Sequence, residues 1–301
     1  MDGVGIGHWT DPDALTGCTV VLLPEGSVGS YEMRGGAPAA RETGPLEPEK
    51  AVAQVDAVVL TGGSAYGLAA ADGVMRWCEE HGRGVPTPAG RVPIVPAMGI
   101  FDLSVGAADV RPGPEHGYAA AGAAQLGLAA AAAPTLAGPV GAGTGAMVGH
   151  WRGPEGRRPG GLGHAVARYG EVTVAALAVV NAFGDIDPGD APLPVGALDR
   201  LEEIRAKEAQ ARGSTGIERA HTTIGVVVTN ARLDKVGCRI VAQGAHDGLA
   251  RALTPPHTRY DGDGFVAAAT GQVEAHVDVV RLLALDAVCR AIRSLDESPN
   301  G

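Results

Sequence analysis

The chain has 301 residues, of which 46 are glycine and 21 are proline; 45% are hydrophobic but only 4% are aromatic. The high apolar fraction, the charged fraction of 19% and the absence of a three-residue glycine period exclude a disordered chain and a collagen-like one. A net charge of -10 argues against nucleic acid or an anionic membrane surface as a partner, which leaves small molecules and proteins.

The cysteines, histidines and N-terminus also narrow the class of protein. The four cysteines form no C-x-x-C pair, and the first residues lack a basic region followed by an apolar stretch. No run of about 18 apolar residues is free of glycine, proline and charge. The nine histidines show no ligand pair such as H-E-x-x-H. We therefore expect a cytoplasmic protein with reduced thiols, no membrane span, and no metal or organic cofactor.

The first third of the chain predicts strands that alternate with a helix. Residues 18–23 and 57–60 are short apolar runs closed by proline or glycine, which is typical of strands. Residues 34–45 between them have the composition of a loop. Apolar side chains then follow helical spacing from Leu68 to Cys78, until Gly82 ends the pattern.

Two apolar segments in the middle of the chain are harder to assign. Residues 92–103 are extended but interrupted by Pro93 and Pro96, which favours an edge strand or an irregular buried segment. The alanine-rich residues 119–133 predict a buried helix.

The second half predicts two strands that are buried on both faces, at residues 172–180 and 223–229. The polar residues 183–221 between them read as a linker that contains one short helix. The other predicted elements are helices near 197–212, 234–253 and 275–294, a loop at 254–264 and a strand near 265–269. Strand groups flanked by helices indicate a layered α/β sandwich.

Two glycine-rich motifs resemble ligand loops but fail in context. Residues 141–146 fit G-x-G-x-x-A, yet no strand precedes them, so a tight turn or a substrate loop is favoured. Residues 261–264 alternate aspartate and glycine, but Phe265 and Gln272 stand where a calcium loop needs oxygen ligands. By spacing alone, Asp261 and Asp263 are typical of a solvated turn.

Ser64 lies between a predicted strand and a predicted helix, where a nucleophile elbow would hold a reactive serine. Tyr66 occupies the position where that motif needs a second small residue. We therefore favour Ser64 as a helix N-cap and keep a serine hydrolase as an alternative.

The remaining candidate is His221-Thr222-Thr223, where a polar linker meets a buried strand. A threonine at a chain's own N-terminus can use its α-amine, with a pKa of about 8, as the general base. To reach that state, the Thr222 hydroxyl must attack the His221 carbonyl. Taken alone, this pattern is better explained by a threonine that caps its own turn.

Around these residues the sequence resembles the self-cleaving N-terminal-nucleophile family of L-aminopeptidase/D-amidase/esterases, which also contains the β-aminopeptidases and the nylon-oligomer hydrolases. The similarity runs along nearly the whole chain. The matching stretches are TGCTVV (16–21), RGGAP (34–38), LTGGSAYG (60–67), VGAGTGA (140–146), VNAFG (180–184), TTI (222–224) with VTN (228–230), and HT (257–258) followed by DGD (261–263).

The resemblance implies a single domain over residues 1–301 that is cut between His221 and Thr222 into an α chain, 1–221, and a β chain, 222–301. Thr222 would be the nucleophile, with Thr223 as the fallback. Asp261 and Asp263 would hold the new N-terminus, as in the nylon-oligomer branch, and Asn181 would stabilise the oxyanion. A carboxylate raises the pKa of an ammonium beside it, so we expect one of the pair to be hydrogen-bonded elsewhere.

Three positions depart from the family pattern, and the pair Gly62-Gly63 is expected to line a cleft. His221 replaces the usual asparagine before the cut, His150 a usual lysine, and Phe101 a tyrosine of the nylon hydrolases. His150, Phe101 and Gly63 are the predicted substrate-binding residues.

The sequence thus predicts a four-layer αββα sandwich of the N-terminal-nucleophile aminopeptidase type. The predicted activity is self-processing amide hydrolysis on small peptides, amino-acid amides or 6-aminohexanoate oligomers, in a homotetramer of αβ units. Two alternatives stay open: a non-catalytic small-molecule-binding homologue that remains uncut, and a serine hydrolase that uses Ser64.

Overall fold

The computed structural model describes residues 1–128, 136–189, 191–210 and 221–296. The described strands are β1 (Gly5–Asp11), β2 (Thr16–Leu22), β3 (Val28–Met33), β4 (Ala39–Arg41), β5 (Ala57–Thr61), β6 (Val85–Thr87), β7 (Gly90–Val92), β8 (Ala97–Gly99), β9 (Gln125–Leu126), β10 (Met147–Val148), β11 (Arg158–Pro159), β12 (Gly161–Tyr169), β13 (Val172–Asn181), β14 (Asp185–Ile186), β15 (Thr222–Ala231), β16 (Leu253–Thr254) and β17 (Gly264–Val273). The described α-helices are α1 (Ser64–Gly67), α2 (Ala70–Glu80), α3 (Pro114–Gly122), α4 (Val195–Gln210), α5 (Lys235–Ala250) and α6 (Val277–Arg293).

Two sheets form the centre of the fold. The first has the strand order β4-β8-β5-β2-β1-β9, and the second has the order β12-β13-β15-β17-β3. In the second sheet β15 pairs with β13 antiparallel and with β17 parallel, so it is the central strand. The first residue of this central strand is Thr222.

Side chains of β13 alternate between two apolar layers, as the period of a strand requires. Ala175, Leu177 and Val179 face the core between the two sheets, while Ala176 and Ala178 face α5 and α6. A third apolar cluster joins the first sheet to α2 and α3. The layers are therefore helix, sheet, sheet and helix, which confirms the predicted αββα sandwich.

The low content of aromatic residues is consistent with close packing at the crossing of two helices. Gly73 of α2 lies so close to α3 that a Cβ atom there would overlap the Pro114 carbonyl oxygen, and Gly117 of α3 is equally close to the Ala70 carbonyl oxygen. Glycine at the crossing lets the helix backbones touch, and this tight packing substitutes for aromatic bulk. Within the described ranges, no helix has the length and apolarity to cross a membrane.

Several predicted elements differ from the structure. The loop prediction for 34–45 is wrong at β4, and β8 pairs with both β4 and β5 rather than lying at an edge. The predicted helix at 119–133 ends at Gly122, because the exposed pair Gln125–Leu126 joins β1 as a short strand. Residues 129–135 lie outside the described residues, as do residues 213–216 of the predicted linker.

Candidate active site

The start of β15 brings the predicted cleavage site and the predicted catalytic residues together. Thr222 is paired with Asn181, the last residue of β13, and His221 forms a parallel bridge with Asp261. All four residues are buried, as is Asp263. Their meeting follows from topology, because the end of β13 and the starts of β15 and β17 lie at the same edge of the second sheet.

The carbonyl group of His221 is held from two directions. Its oxygen accepts a hydrogen bond of 2.9 Å from the Gly262 backbone N–H, and it also accepts one from the Thr222 hydroxyl. Gly262 lies directly over the threonine, because a Cβ atom on it would be 2.8 Å from Thr222 Oγ1. The arrangement places a hydroxyl beside the peptide carbonyl and a backbone donor where negative charge would develop.

Asp261 is anchored by the residues around it. Its Oδ1 accepts from the Phe183 N–H at 3.1 Å, and its Oδ2 accepts from the Thr258 N–H at 2.9 Å and the Thr258 hydroxyl at 2.5 Å. Burial, followed by the negative charge of Asp263, raises the pKa of Asp261 to about 7. This carboxyl group can therefore gain or lose a proton near neutral pH.

Asp263 is held by different donors. Its Oδ1 accepts from the Thr223 N–H at 2.7 Å, and its Oδ2 lies 2.8 Å from Nδ1 of His257. The sequence predicted that one of the two carboxylates would be hydrogen-bonded to other groups of the protein, and both of them are. His257 is a site residue that the sequence analysis did not single out; it stood in a matching stretch, but a lone histidine carries no signal of its partner.

The loop of residues 34–38 supports this pair of aspartates from behind. The Arg34 N–H donates to the Asp263 carbonyl oxygen at 3.0 Å, and the Ala37 N–H donates to the Asp261 carbonyl oxygen at 2.9 Å. A Cβ atom on Gly35 would overlap the backbone of both aspartates. The RGGAP stretch therefore needs glycine because two backbones meet there.

Asn181 links the cleavage site to the first sheet. Its Oδ1 accepts from the Met147 N–H at 3.0 Å and lies 3.2 Å from Nε2 of His150, and its Nδ2 donates to the Phe101 carbonyl oxygen at 3.3 Å. Because Oδ1 is an acceptor, Nε2 of His150 carries the proton in this contact. Phe101 is half-buried, and it meets Asn181 through its backbone.

His150 and His221, the two histidines that depart from the family pattern, are in contact. Their ring centroids lie 4.3 Å apart, and the centroid of the Phe183 ring lies 5.4 Å from that of His221. Burial lowers the pKa of His150 to about 4, so this imidazole is neutral at pH 7. The side chain of His221 therefore packs against two uncharged rings.

Gly63 and Ser64 lie at a sharp turn after β5. Gly63 has a φ of +75° and donates its N–H to Asp102 Oδ1 at 2.7 Å, which ties this turn to the residue after Phe101. The N-cap prediction for Ser64 is wrong: Gly63 is the N-cap, and Ser64 has a φ of +55°. A capping serine needs an extended backbone that aims its hydroxyl at the first helical turn.

Neither a serine relay nor a metal cluster is seen in the part of the chain that the structure describes. No described side chain hydrogen-bonds to the Ser64 hydroxyl. The backbone N–H of Ser64 donates to the Ile100 carbonyl oxygen. No group of three His, Cys, Asp or Glu side chains among the described residues is arranged to hold a metal ion.

Comparisons with known proteins show the family and the fold of the chain. The model of peptidase family S58 matches residues 1–298. An uncharacterized aminopeptidase of Mycobacterium leprae (strain TN) is 45% identical over 292 residues, which cover 91% of this chain and 78% of that protein. A 6-aminohexanoate-oligomer endohydrolase of Kocuria sp. (strain KY2) is 29% identical over 281 residues, which cover 90% of this chain and 74% of that protein.

The solved structure of an L-aminopeptidase D-Ala-esterase/amidase from Ochrobactrum anthropi, described as a variant of the Ntn hydrolase fold, superimposes with a TM-score of 0.68. The match covers 97% of this chain and 83% of that one at 20% identity, so it shows the fold. The predicted N-terminal-nucleophile sandwich and the predicted family are both confirmed. The chain belongs to peptidase family S58 and is a hydrolase that acts on amide bonds.

Proposed function

We propose that this protein cuts its own chain between His221 and Thr222 and then hydrolyses small amides with the freed Thr222 as nucleophile. The observation that carries the proposal is the His221 carbonyl oxygen, held by the Gly262 N–H while the Thr222 hydroxyl lies against it. The first step needs a nucleophile and an oxyanion donor, and these two contacts support the assignment of those roles to the Thr222 hydroxyl and the Gly262 N–H.

Self-cleavage proceeds by an acyl shift from nitrogen to oxygen. The Thr222 hydroxyl attacks the His221 carbonyl carbon, the new C–O bond replaces the C–N bond, and the hydroxyl proton passes to the nitrogen. This shift leaves Thr222 with a free amine and an ester to His221. Water then hydrolyses the ester, which gives His221 a carboxyl group and restores the Thr222 hydroxyl. We assign the transfer of this proton to Asp261, whose backbone pairs with His221 and whose pKa burial raises to about 7.

The same atoms then serve substrate hydrolysis. The Thr222 amine takes the hydroxyl proton, the oxygen attacks the substrate carbonyl carbon, and the departing amine of the substrate takes that proton, which leaves an acyl ester on Thr222. Water, deprotonated by the Thr222 amine, then attacks this acyl-enzyme, the acid is released, and the Thr222 hydroxyl regains its proton from the amine. Cleavage frees the Gly262 N–H, because the His221 carbonyl that it holds leaves with the α chain. Gly262 and the Nδ2 group of Asn181 are the donors we assign to the substrate oxyanion, and the two aspartates hold the amine.

Thr222 fits the nucleophile role better than Thr223. Successive side chains of a strand point to opposite faces, so only one of the two can lie against the His221 carbonyl. That one is Thr222, whereas the buried Thr223 hydroxyl has no hydrogen-bond partner among the described residues.

The substrate class follows from the relatives and from the side chains near His221. The relatives' names specify aminopeptidase activity and 6-aminohexanoate oligomers. We assign the His150 and Phe183 rings to the acyl part of a small peptide, amino-acid amide or 6-aminohexanoate oligomer, with Phe101 and Gly63 at the neighbouring wall. The proposal includes one domain over residues 1–301, a cytoplasmic homotetramer of αβ units, and no metal or cofactor.

A panel of amides tests the proposal. Wild type is expected to release product from at least one of the three classes, Thr222→Ala from none, and Thr222→Ser from the same class at a reduced rate. Hydrolysis by Thr222→Ala at the wild-type rate would overturn the nucleophile assignment. Substrate binding by an uncut wild-type chain, without hydrolysis, would favour the non-catalytic homologue.

A further inference from the structure

We propose that His257 is a positioning residue of this site, which fixes the Asp263 carboxylate in the orientation that the Thr222 amine requires. This inference rests on the proposed function, since it concerns the carboxylate assigned to that amine. His257 would act through Asp263 and would not touch the substrate.

Both oxygens of the Asp263 carboxylate accept hydrogen bonds, which favour a single orientation of the group. Oδ1 is bound by the Thr223 N–H, one residue beyond the proposed cut, at 2.7 Å. Oδ2 is bound twice by His257, by ring Nδ1 at 2.8 Å and by the backbone N–H at 3.3 Å. The aspartate side chain is almost fully buried, with 2% of its surface exposed, so these donors replace water.

The backbone of His257 is held in a conformation that side-chain-bearing residues rarely adopt. Its φ is +52°, in the left-handed region that favours glycine and asparagine. This conformation directs both the backbone N–H and the ring of one residue to the same carboxylate oxygen. Strained residues of this kind concentrate at functional sites, where the surrounding structure holds them.

A second histidine packs against the ring of His257. His246 of α5 is fully buried, its Nε2 lies 2.9 Å from the Glu32 carbonyl oxygen, and its ring centroid lies 4.9 Å from that of His257. Burial lowers the pKa of His246 to about 4, so it packs as a neutral ring. Phe265 of β17 supports His246 edge-on at 5.2 Å. The ring of His257 is thereby fixed between Asp263 and a rigid aromatic pair.

The carboxylates of Asp261 and Asp263 are held by different hydrogen-bond donors. Asp261 is held by Thr258 and Phe183, and Asp263 is held by Thr223 and His257. Loss of the His257 donor would leave Oδ2 bound by a backbone N–H alone, and the carboxylate would turn away from the position of the amine. A misplaced catalytic group lowers the rate of the chemical step more than it weakens substrate binding.

Two substitutions separate the donor from the shape of the side chain. His257→Leu removes the donor, whereas His257→Asn keeps a short N–H donor and tolerates a positive φ. We expect His257→Leu to lower the self-cleavage rate and kcat by about 10- to 100-fold at unchanged KM, as replacing a partner that orients a reactive group does. His257→Asn is expected to recover most of that loss.

A double-mutant cycle and an NMR measurement complete the test. In an Asp263→Asn background, His257→Leu is expected to cause no further loss, because His257 acts through Asp263. In the uncut Thr222→Ala chain, ¹⁵N spectra are expected to place the His257 ring proton on Nδ1. This measurement keeps His257 intact, so it does not depend on whether a His257 variant folds.

The inference is overturned if His257→Leu cuts and turns over like wild type, if its loss persists in the Asp263→Asn background, or if Nδ1 carries no proton. Failure of the proposed function looks different: wild type itself then yields no fragment that begins at Thr222. That result would overturn both.

Discussion

Gly262 donates its backbone N–H to the carbonyl oxygen of His221 across 2.9 Å, and a Cβ atom on the same glycine would lie 2.8 Å from the Thr222 hydroxyl oxygen. Gly262 thus contacts both groups that react in the proposed self-cleavage, the His221 carbonyl and the Thr222 hydroxyl. It lies between the two aspartates, so the loop that carries the carboxylates also carries the oxyanion donor. The spacing of the DGD stretch is explained by this contact.

Gly262→Ala is expected to lower the rate of self-cleavage by about 100-fold, the order of loss that follows when reacting groups are displaced by 1 Å. The new Cβ would lie 2.8 Å from both Thr222 Oγ1 and the Ala37 carbonyl oxygen, so the hydroxyl and the loop must move apart. Densitometry of the cut and uncut chains on a denaturing gel over time measures the rate.

Gly44→Ala is the matched control, because nothing lies within 4 Å of a Cβ atom there. It is expected to cut at the wild-type rate. Wild-type kinetics for Gly262→Ala would contradict the assigned geometry.

Asp261 is expected to make the uncut chain less stable as the pH rises. Its pKa is about 7 in the folded chain and ordinarily 3.8, so the folded state binds the proton more tightly. The stability that this proton confers is present below pH 4 and is lost as the pH rises through 7. The two chains to compare are Thr222→Ala and the double variant Thr222→Ala/Asp261→Asn. Between pH 5 and pH 8, the free energy of unfolding of Thr222→Ala should fall relative to that of the double variant by more than about 1 kcal/mol.

The comparison between the two chains removes other titrations. Burial lowers the pKa of His8, His150 and His246 to about 4 from 6.5, so these histidines destabilise the fold as the pH falls through that range. They are present in both chains and cancel in the difference. Urea unfolding at pH 5 and pH 8 measures it, and a difference that does not change with pH would contradict the raised pKa.

Ser64→Ala is expected to leave both self-cleavage and amide hydrolysis unchanged. Its hydroxyl has no hydrogen-bond partner among the described residues, and its backbone contact with Ile100 survives the substitution. Initial rates on the best substrate of the panel provide the measurement. A chain that is still cut but no longer hydrolyses amides would instead support the serine-hydrolase alternative.

The sequence predicted the longer fully buried strands, such as β2 and β15, and missed β3, which depends on partners elsewhere in the chain. All residues of β15 are buried, so an unbroken apolar run marks it. By contrast, β3 carries Ser30 and Glu32, whose side chains bind the Leu46 carbonyl oxygen and Arg239. Such polar partners come from distant segments, and no local pattern predicts them.

The same distinction applies to the site. The cleavage-site residues, Asn181 and the two aspartates were predicted from the resemblance to the family, and the structure brings them together. Spacing alone favoured a solvated turn for the aspartates, which are in fact buried. His257 and the Gly262 N–H were missed as contributors, since their contribution depends on the backbone conformation of one loop. Phe101 was chosen for its side chain, yet its observed contact with Asn181 is made by its carbonyl oxygen.

Intact-mass spectrometry of the purified protein with N-terminal sequencing tests self-cleavage at Thr222 most directly. Wild type is expected to give two chains, one covering residues 1–221 and one that begins with Thr222-Thr223-Ile224, while Thr222→Ala gives a single chain of full mass. A wild-type chain that stays whole after long incubation, or a second chain that begins at another residue, would contradict the proposed mechanism.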